Sequence, residues 1–124
     1  YLKCSFYSYK MNNLEELSRK YFEVWNSHNS KNVGDLFSEN GSLRDWELLA
    51  EGRENVVNAN QNIFNNVPKI KCEIINVHVS TNTNTVCAEI FVHLNNESGE
   101  KLKVVDVIEY DEDCLIKSLR AYKG

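Results

Sequence analysis

The sequence predicts an α+β domain over residues 12–124, a cone-shaped, curved antiparallel sheet wrapped around three helices, with residues 1–11 as an N-terminal extension. Three observations predict it. Segments with helical spacing dominate the chain up to Val67, long alternating segments fill the remainder, and the turn-rich stretches "STNTN", "NNESGE" and "DEDC" join those alternating segments. Helices first and a meander afterwards exclude a wound parallel sheet, whose strands and helices would alternate.

"NNLEELSRKYFEVWNSH" reads as the first helix, capped at Asn12-Asn13, with Leu14, Leu17, Tyr21, Val24, Trp25 and His28 on one stripe. Glu15 with Arg19 and Glu16 with Lys20 add i,i+4 pairs on its outer side. Ser30 is expected to cap a short second helix through Val33, Leu36 and Phe37, closed at Asn40-Gly41 by a left-handed turn. "SLRDWEL" reads as a short strand, and after Gly52 "RENVVNANQNIFNNV" gives a third helix that stops before Pro68. Its stripe is Val56, Val57, Ile63, Phe64 and Val67, with the amide of Asn60 facing inward among them. "IKCEIINVHV", "TVCAEIFVHL", "KLKVVDVIEY" and "LIKSLRAY" are the strands of the meander.

Composition excludes several classes of function. A net charge of −4 without a Lys/Arg cluster is wrong for a protein that tracks phosphates, so no nucleic acid is expected. No apolar run reaches the length of a spanning helix and no basic amphipathic face is present, so no membrane partner is expected either. Cys4, Cys72, Cys87 and Cys114 are widely spaced, which suits reduced thiols in a cytoplasmic setting better than a disulfide framework or a zinc site. His28, His78 and His93 lack a metal-ligand spacing and read as structural or solvent-facing; "YDEDC" lacks the glycine and closing glutamate of a calcium loop. The partner expected is a small hydrophobic ligand, and neither metal nor cofactor is called for.

Alternation singles out Asp106. In "KLKVVDVIEY" it shares a face with Leu102, Val104, Ile108 and Tyr110, where an ionised carboxylate is costly. Tyr21 lies in the middle of the first helix's apolar stripe, and Asp45 follows Leu43 on the same side of its short strand. Taken singly, each has a bland reading as a core tyrosine, a turn-binding aspartate or a loop-tying aspartate. Converging on one apolar cavity, they would make an acid–base set.

The run "RKYFEVWNSHNSKNVGDLFSENGSLRDW" resembles the bacterial ketosteroid isomerases of the nuclear transport factor 2-like superfamily, as do "EGRENV" and the closing hairpin "VVDVIEYDEDCLIKSLRAY". The resemblance implies their cystatin-like cone and gives Tyr21 the place of the oxyanion tyrosine, Asp45 that of the proton-shuttling base, and Asp106 that of the protonated second donor. It implies movement of a proton alpha to a ketone through a dienolate, without a cofactor, in a homodimer. Trp25, Phe37, Trp46, Asn60, Phe64, Val104 and Lys123 are then expected around the substrate. The chain departs from the pattern at four of these: Phe37 and Asn60 stand where supporting tyrosines are kept, Trp46 where a proline often follows the base, and Lys123 where a tryptophan flanks it. A lysine there is a candidate partner for Asp45, and pairing would make that aspartate a weaker base; whether the two pair is left open by the sequence. Two alternatives stay open, a non-catalytic dimeric ligand-binding or interaction module of the same fold, and a dehydratase or polyketide-cyclase-like enzyme.

Overall fold

The computed structural model describes the backbone of residues 7–124 and side chains from Asn13 onward. The element order is α1 (Tyr7–Asn26), α2 (Ser30–Gly34), β1 (Phe37–Arg44), β2 (Leu49–Glu51), α3 (Arg53–Asn66), β3 (Lys71–Ser80), β4 (Thr85–His93), β5 (Lys101–Tyr110) and β6 (Ile116–Lys123). One six-stranded sheet runs in the order β2-β1-β6-β5-β4-β3. The meander is antiparallel, as expected; the parallel pairing of β1 with β6, which brings the first strand beside the last, has no local signature in sequence.

α1 begins at Tyr7, ahead of the Asn12-Asn13 cap read from sequence, so residues 7–11 continue the helix; residues 1–6 of the expected extension lie outside the described residues. Leu14, Tyr21 and Trp25 are buried as the stripe requires, and Ser18 and Phe22 are buried with them, a wider face than the stripe alone. The hydroxyl of Ser18 meets that of Tyr110 at 2.9 Å, which satisfies both inside the core. On the outer side Glu15 accepts from Arg19 at 2.9 Å, whereas Glu16 and Lys20 form no ion pair among the described residues. The end of α1 is fixed to the sheet by Asn26, whose amide donates to the Cys72 carbonyl at 2.9 Å and accepts from the Cys72 N–H at 2.8 Å. One side chain thus takes the place of a neighbouring strand at the start of β3.

α2 is shorter than expected. Its cap is Asn29, which accepts from the Asn32 N–H at 3.0 Å, while Ser30 is buried and donates to Gln61 of α3. Phe37 opens β1, and Asn40-Gly41 lies inside that strand and not at a helix end. The reason is the register of β1 against β6, which shifts between Phe37 and Ser42. A Cβ on Gly41 would stand 2.7 Å from the Ile116 carbonyl oxygen and 3.1 Å from that of Ser38. Gly41 is there to let two backbones approach, not to turn a helix. A second irregularity, between Ile74 and Asn76 of β3, leaves Ile75 exposed and adds the local bend that curls the sheet over the helices.

The histidines are structural or surface groups, as expected. His28 adopts φ 63° after α1, holds the Ile70 carbonyl at 2.6 Å and stacks on Phe64 at 4.5 Å between ring centres. His78 and His93 pair across strands with Glu89 and Glu73. In the "DEDC" turn the Asp111 carboxylate accepts from the N–H groups of Asp113 and Leu115.

Because the Gly41 contact is with backbone atoms that cannot rotate away, Gly41→Ala is expected to destabilise the fold by about 1–3 kcal/mol, measured by chemical denaturation. An unchanged midpoint would show that β1 and β6 are not in such close approach.

Candidate functional site

Between α1, α3 and the concave face of the sheet lies a cavity of about 410 Å³, within the range of small-molecule sites. Most of its wall is apolar, including Phe22 and Trp25 of α1, Ile63 and Val67 of α3, and Ile90, Leu102 and Val104 of the sheet. Trp46, Glu47, Glu100 and Lys123 line it as well and are exposed, which makes them its rim.

Three polar groups identified from sequence meet in this cavity. Asp106 is on the inner face of β5 and only 6% exposed, and Tyr21 reaches in from α1 at 3% exposure. Among the described residues, neither the Asp106 carboxyl nor the Tyr21 hydroxyl has a hydrogen-bond partner, so both retain their donor capacity. Burial, and secondarily the charge of Asp45, push the Asp106 carboxyl up to about 7. Burial also pushes the Tyr21 phenol well above its ordinary value, with Asp106 adding to the effect. A group whose ionised form is so penalised keeps its proton and can donate it in a hydrogen bond.

Asp45 is held differently. It lies just past the end of β1, in the turn to β2, where its Oδ1 accepts from the N–H groups of Glu47 at 2.7 Å and Leu48 at 2.8 Å. Its own N–H donates to the Leu48 carbonyl at 3.0 Å. The turn-binding aspartate and the cavity aspartate are therefore the same residue, with one oxygen anchored by the turn. Arg44 is in register with Arg120 and Asp106 with Ala121, so Asp45 and Asp106 are level with each other across β6. Two strand spacings put their Cα atoms about 10 Å apart.

The remaining expected contacts divide. Trp25, Trp46, Asn60, Val104 and Lys123 line the cavity; Phe37 and Phe64 do not. Phe37 is fully buried behind Tyr21, edge-on with ring centres 6.3 Å apart, and Phe64 is occupied with Trp25 and His28. Asn60 does not support Tyr21, because its carbonyl oxygen accepts from the Trp25 indole at 2.9 Å and its amide donates to Val56 at 3.0 Å. Lys123 and Asp45, whose pairing the sequence left open, form no ion pair: the lysine amine lies 5.2 Å from the centre of the Trp46 ring, where a cation is attracted by the π face. Sequence reasoning passed over Cys72 and Ala121, which also line the cavity. Both were accessible by alternation, Cys72 between Ile70 and Ile74 and Ala121 between Leu119 and Lys123, but neither residue type draws notice on an apolar face.

No match was found among curated proteins. The sequence profile of the SnoaL-like domain matches residues 18–119, a span that includes all three polar groups. The fold is similar to that of a cystatin-like protein from Methylobium petroleophilum PM1, with a TM-score of 0.80 at 14% identity, covering 92% of this chain and 77% of the other. It is similar also to an NTF2-like protein from Cytophaga hutchinsonii ATCC 33406, with a TM-score of 0.73 at 18% identity over 90% and 89% of the two chains. A third similar structure is SalBIII, an epoxide hydrolase/cyclase-like enzyme of pyran ring formation in the polyether salinomycin, with a TM-score of 0.77 at 18% identity over 91% and 92%. At these identities the structures show the fold, similar to that of NTF2-like and cystatin-like proteins, and the profile shows the family: the chain belongs to the SnoaL-like domain family.

Proposed function

We propose that the cavity binds a small hydrophobic ketone and moves a proton from the carbon alpha to the carbonyl to a carbon two positions along. The observation that carries this reading is the pair of buried, unpartnered hydroxyl-bearing groups, Tyr21 and Asp106, facing the same cavity as an anchored carboxylate, Asp45. The Asp45 oxygen not held by the turn takes the proton. The electron pair of the broken C–H bond moves onto the ketone oxygen, giving a dienolate that the Tyr21 and Asp106 hydroxyls stabilise. Asp45 then returns the proton to the far carbon, and the double bond is left in conjugation with the ketone. The steroid nucleus is the substrate suggested by the resemblance, and a largely apolar wall suits it. An interaction module that binds no small ligand gains nothing from vacant space lined by buried polar groups, which weakens a core.

The test is conversion of 5-androstene-3,17-dione, followed by the ultraviolet absorbance of the conjugated product. Asp45→Asn is expected to lower kcat by about 10²–10⁴-fold and Tyr21→Phe by about 10²–10³-fold, each with an intact fold. An inert native protein, or variants equal to it, would remove the proposal. Because Asp106 donates only while protonated, kcat/KM is expected to fall as pH rises through about 7, and Asp106→Asn should erase that limb, since an amide donates at any pH. A descending limb that survives in Asp106→Asn would assign it to another group.

A further inference from the structure

Asp106 is flanked on the inner face of the sheet by two small side chains. Ala88 of β4 is opposite it on one side and Ala121 of β6 on the other. One rung away on either side the inner positions are bulky, Ile90 with Val104, and Ile108 with Leu119. The two alanines are not equivalent. Ala88 is completely buried and does not reach the cavity, so its size is a matter of packing. Ala121 is partly exposed, into the cavity, and is level with both aspartates.

Strand chemistry does not account for an alanine at this position. β6 is an interior strand, between β1 and β5, where alanine is disfavoured and a valine or isoleucine would both suit the backbone and bury more surface. What a branched side chain would do at residue 121 is occupy the space between Asp45 and Asp106. We propose that Ala121 is a specificity-determining residue: it sets the room available to the carbons that pass between base and oxyanion donors. The cavity then selects uncharged ketones and enols with no bulky substituent on the carbon next to the oxygen-bearing one. This inference rests on the acid–base reading above, which places the ligand oxygen at Tyr21 and Asp106.

A pair of flat phenols that differ at that carbon tests it, 2-naphthol and 1-methyl-2-naphthol, with Kd read from their fluorescence on the native protein, Ala121→Gly and Ala121→Val. The native protein is expected to prefer 2-naphthol by about tenfold or more, the discrimination one methyl group commonly gives in a close-fitting pocket. Ala121→Gly should bring the two affinities to within about threefold of each other, and Ala121→Val should weaken both by about tenfold or more without lowering the melting temperature. A ratio of affinities that is the same in native protein and Ala121→Gly would overturn the proposal, and so would failure of the native protein to bind 2-naphthol. The ratio is insensitive to a general loss of stability, which would weaken both ligands alike. The two readings fail separately: expected ratios without turnover of 5-androstene-3,17-dione leave the slot and remove the reaction, whereas turnover with an unchanged ratio leaves the reaction and removes the slot.

Discussion

The cost of burying the Asp106 carboxyl organises the molecule. Among the described residues a carboxylate on that face has no ion pair and no hydrogen bond, so the fold accommodates it by keeping it protonated up to about pH 7. The cost appears as a pH dependence of stability. Below the ordinary carboxyl value of 3.8, folded and unfolded chains both hold this proton. Between there and about 7 only the unfolded chain gives it up, so stability declines as pH rises; above about 7 both are ionised and the dependence ends. The difference amounts to about 4 kcal/mol, a large fraction of the stability of a domain of this size. Alanines 88 and 121, the open cavity and the missing hydrogen-bond partner are further concessions at the same place, and they coincide with the greatest chemical capacity in the molecule.

The two aspartates show how environment divides roles between identical groups. Asp45 is at the end of a strand, in a turn whose N–H groups bind one of its oxygens. Asp106 is in the middle of a strand whose N–H groups are already used by the sheet, with apolar neighbours along β5 on its own face. A turn-anchored carboxylate and a buried carboxyl of raised pKa therefore face one cavity. Lys123, which could have disturbed this division by pairing with Asp45, is instead drawn over the face of Trp46.

Much of this was legible in the sequence, and the reason is local. β3 to β6 alternate strictly enough to assign each residue to a face, which is how Asp106 stood out, and the stripe of α1 put Tyr21 indoors. Gly41 was misread because Asn-Gly after an apolar pair has the same local signature at a helix end and at a close strand crossing; the parallel β1–β6 register that decides between them joins residues about 80 apart in sequence. Phe64 followed the helix stripe correctly yet was assigned to the cavity wrongly, since periodicity finds the buried face and not which part of that face is lined by empty space. Asn60 was placed inward correctly, but its partner, the Trp25 indole, is on another helix. Ala121 was invisible for a different reason, because its contribution is the volume it leaves free.

The most direct test is the ionisation of Asp106 itself, followed by carbon-13 NMR of its carboxyl in the folded protein from pH 4 to 9 and assigned with Asp106→Asn. The expected result is a titration centred near 7, with the carboxyl still protonated at pH 5. A carboxyl that titrates near its ordinary 3.8 would be an ordinary carboxylate at neutral pH, unable to donate a hydrogen bond to an oxyanion, and would contradict the account at its root.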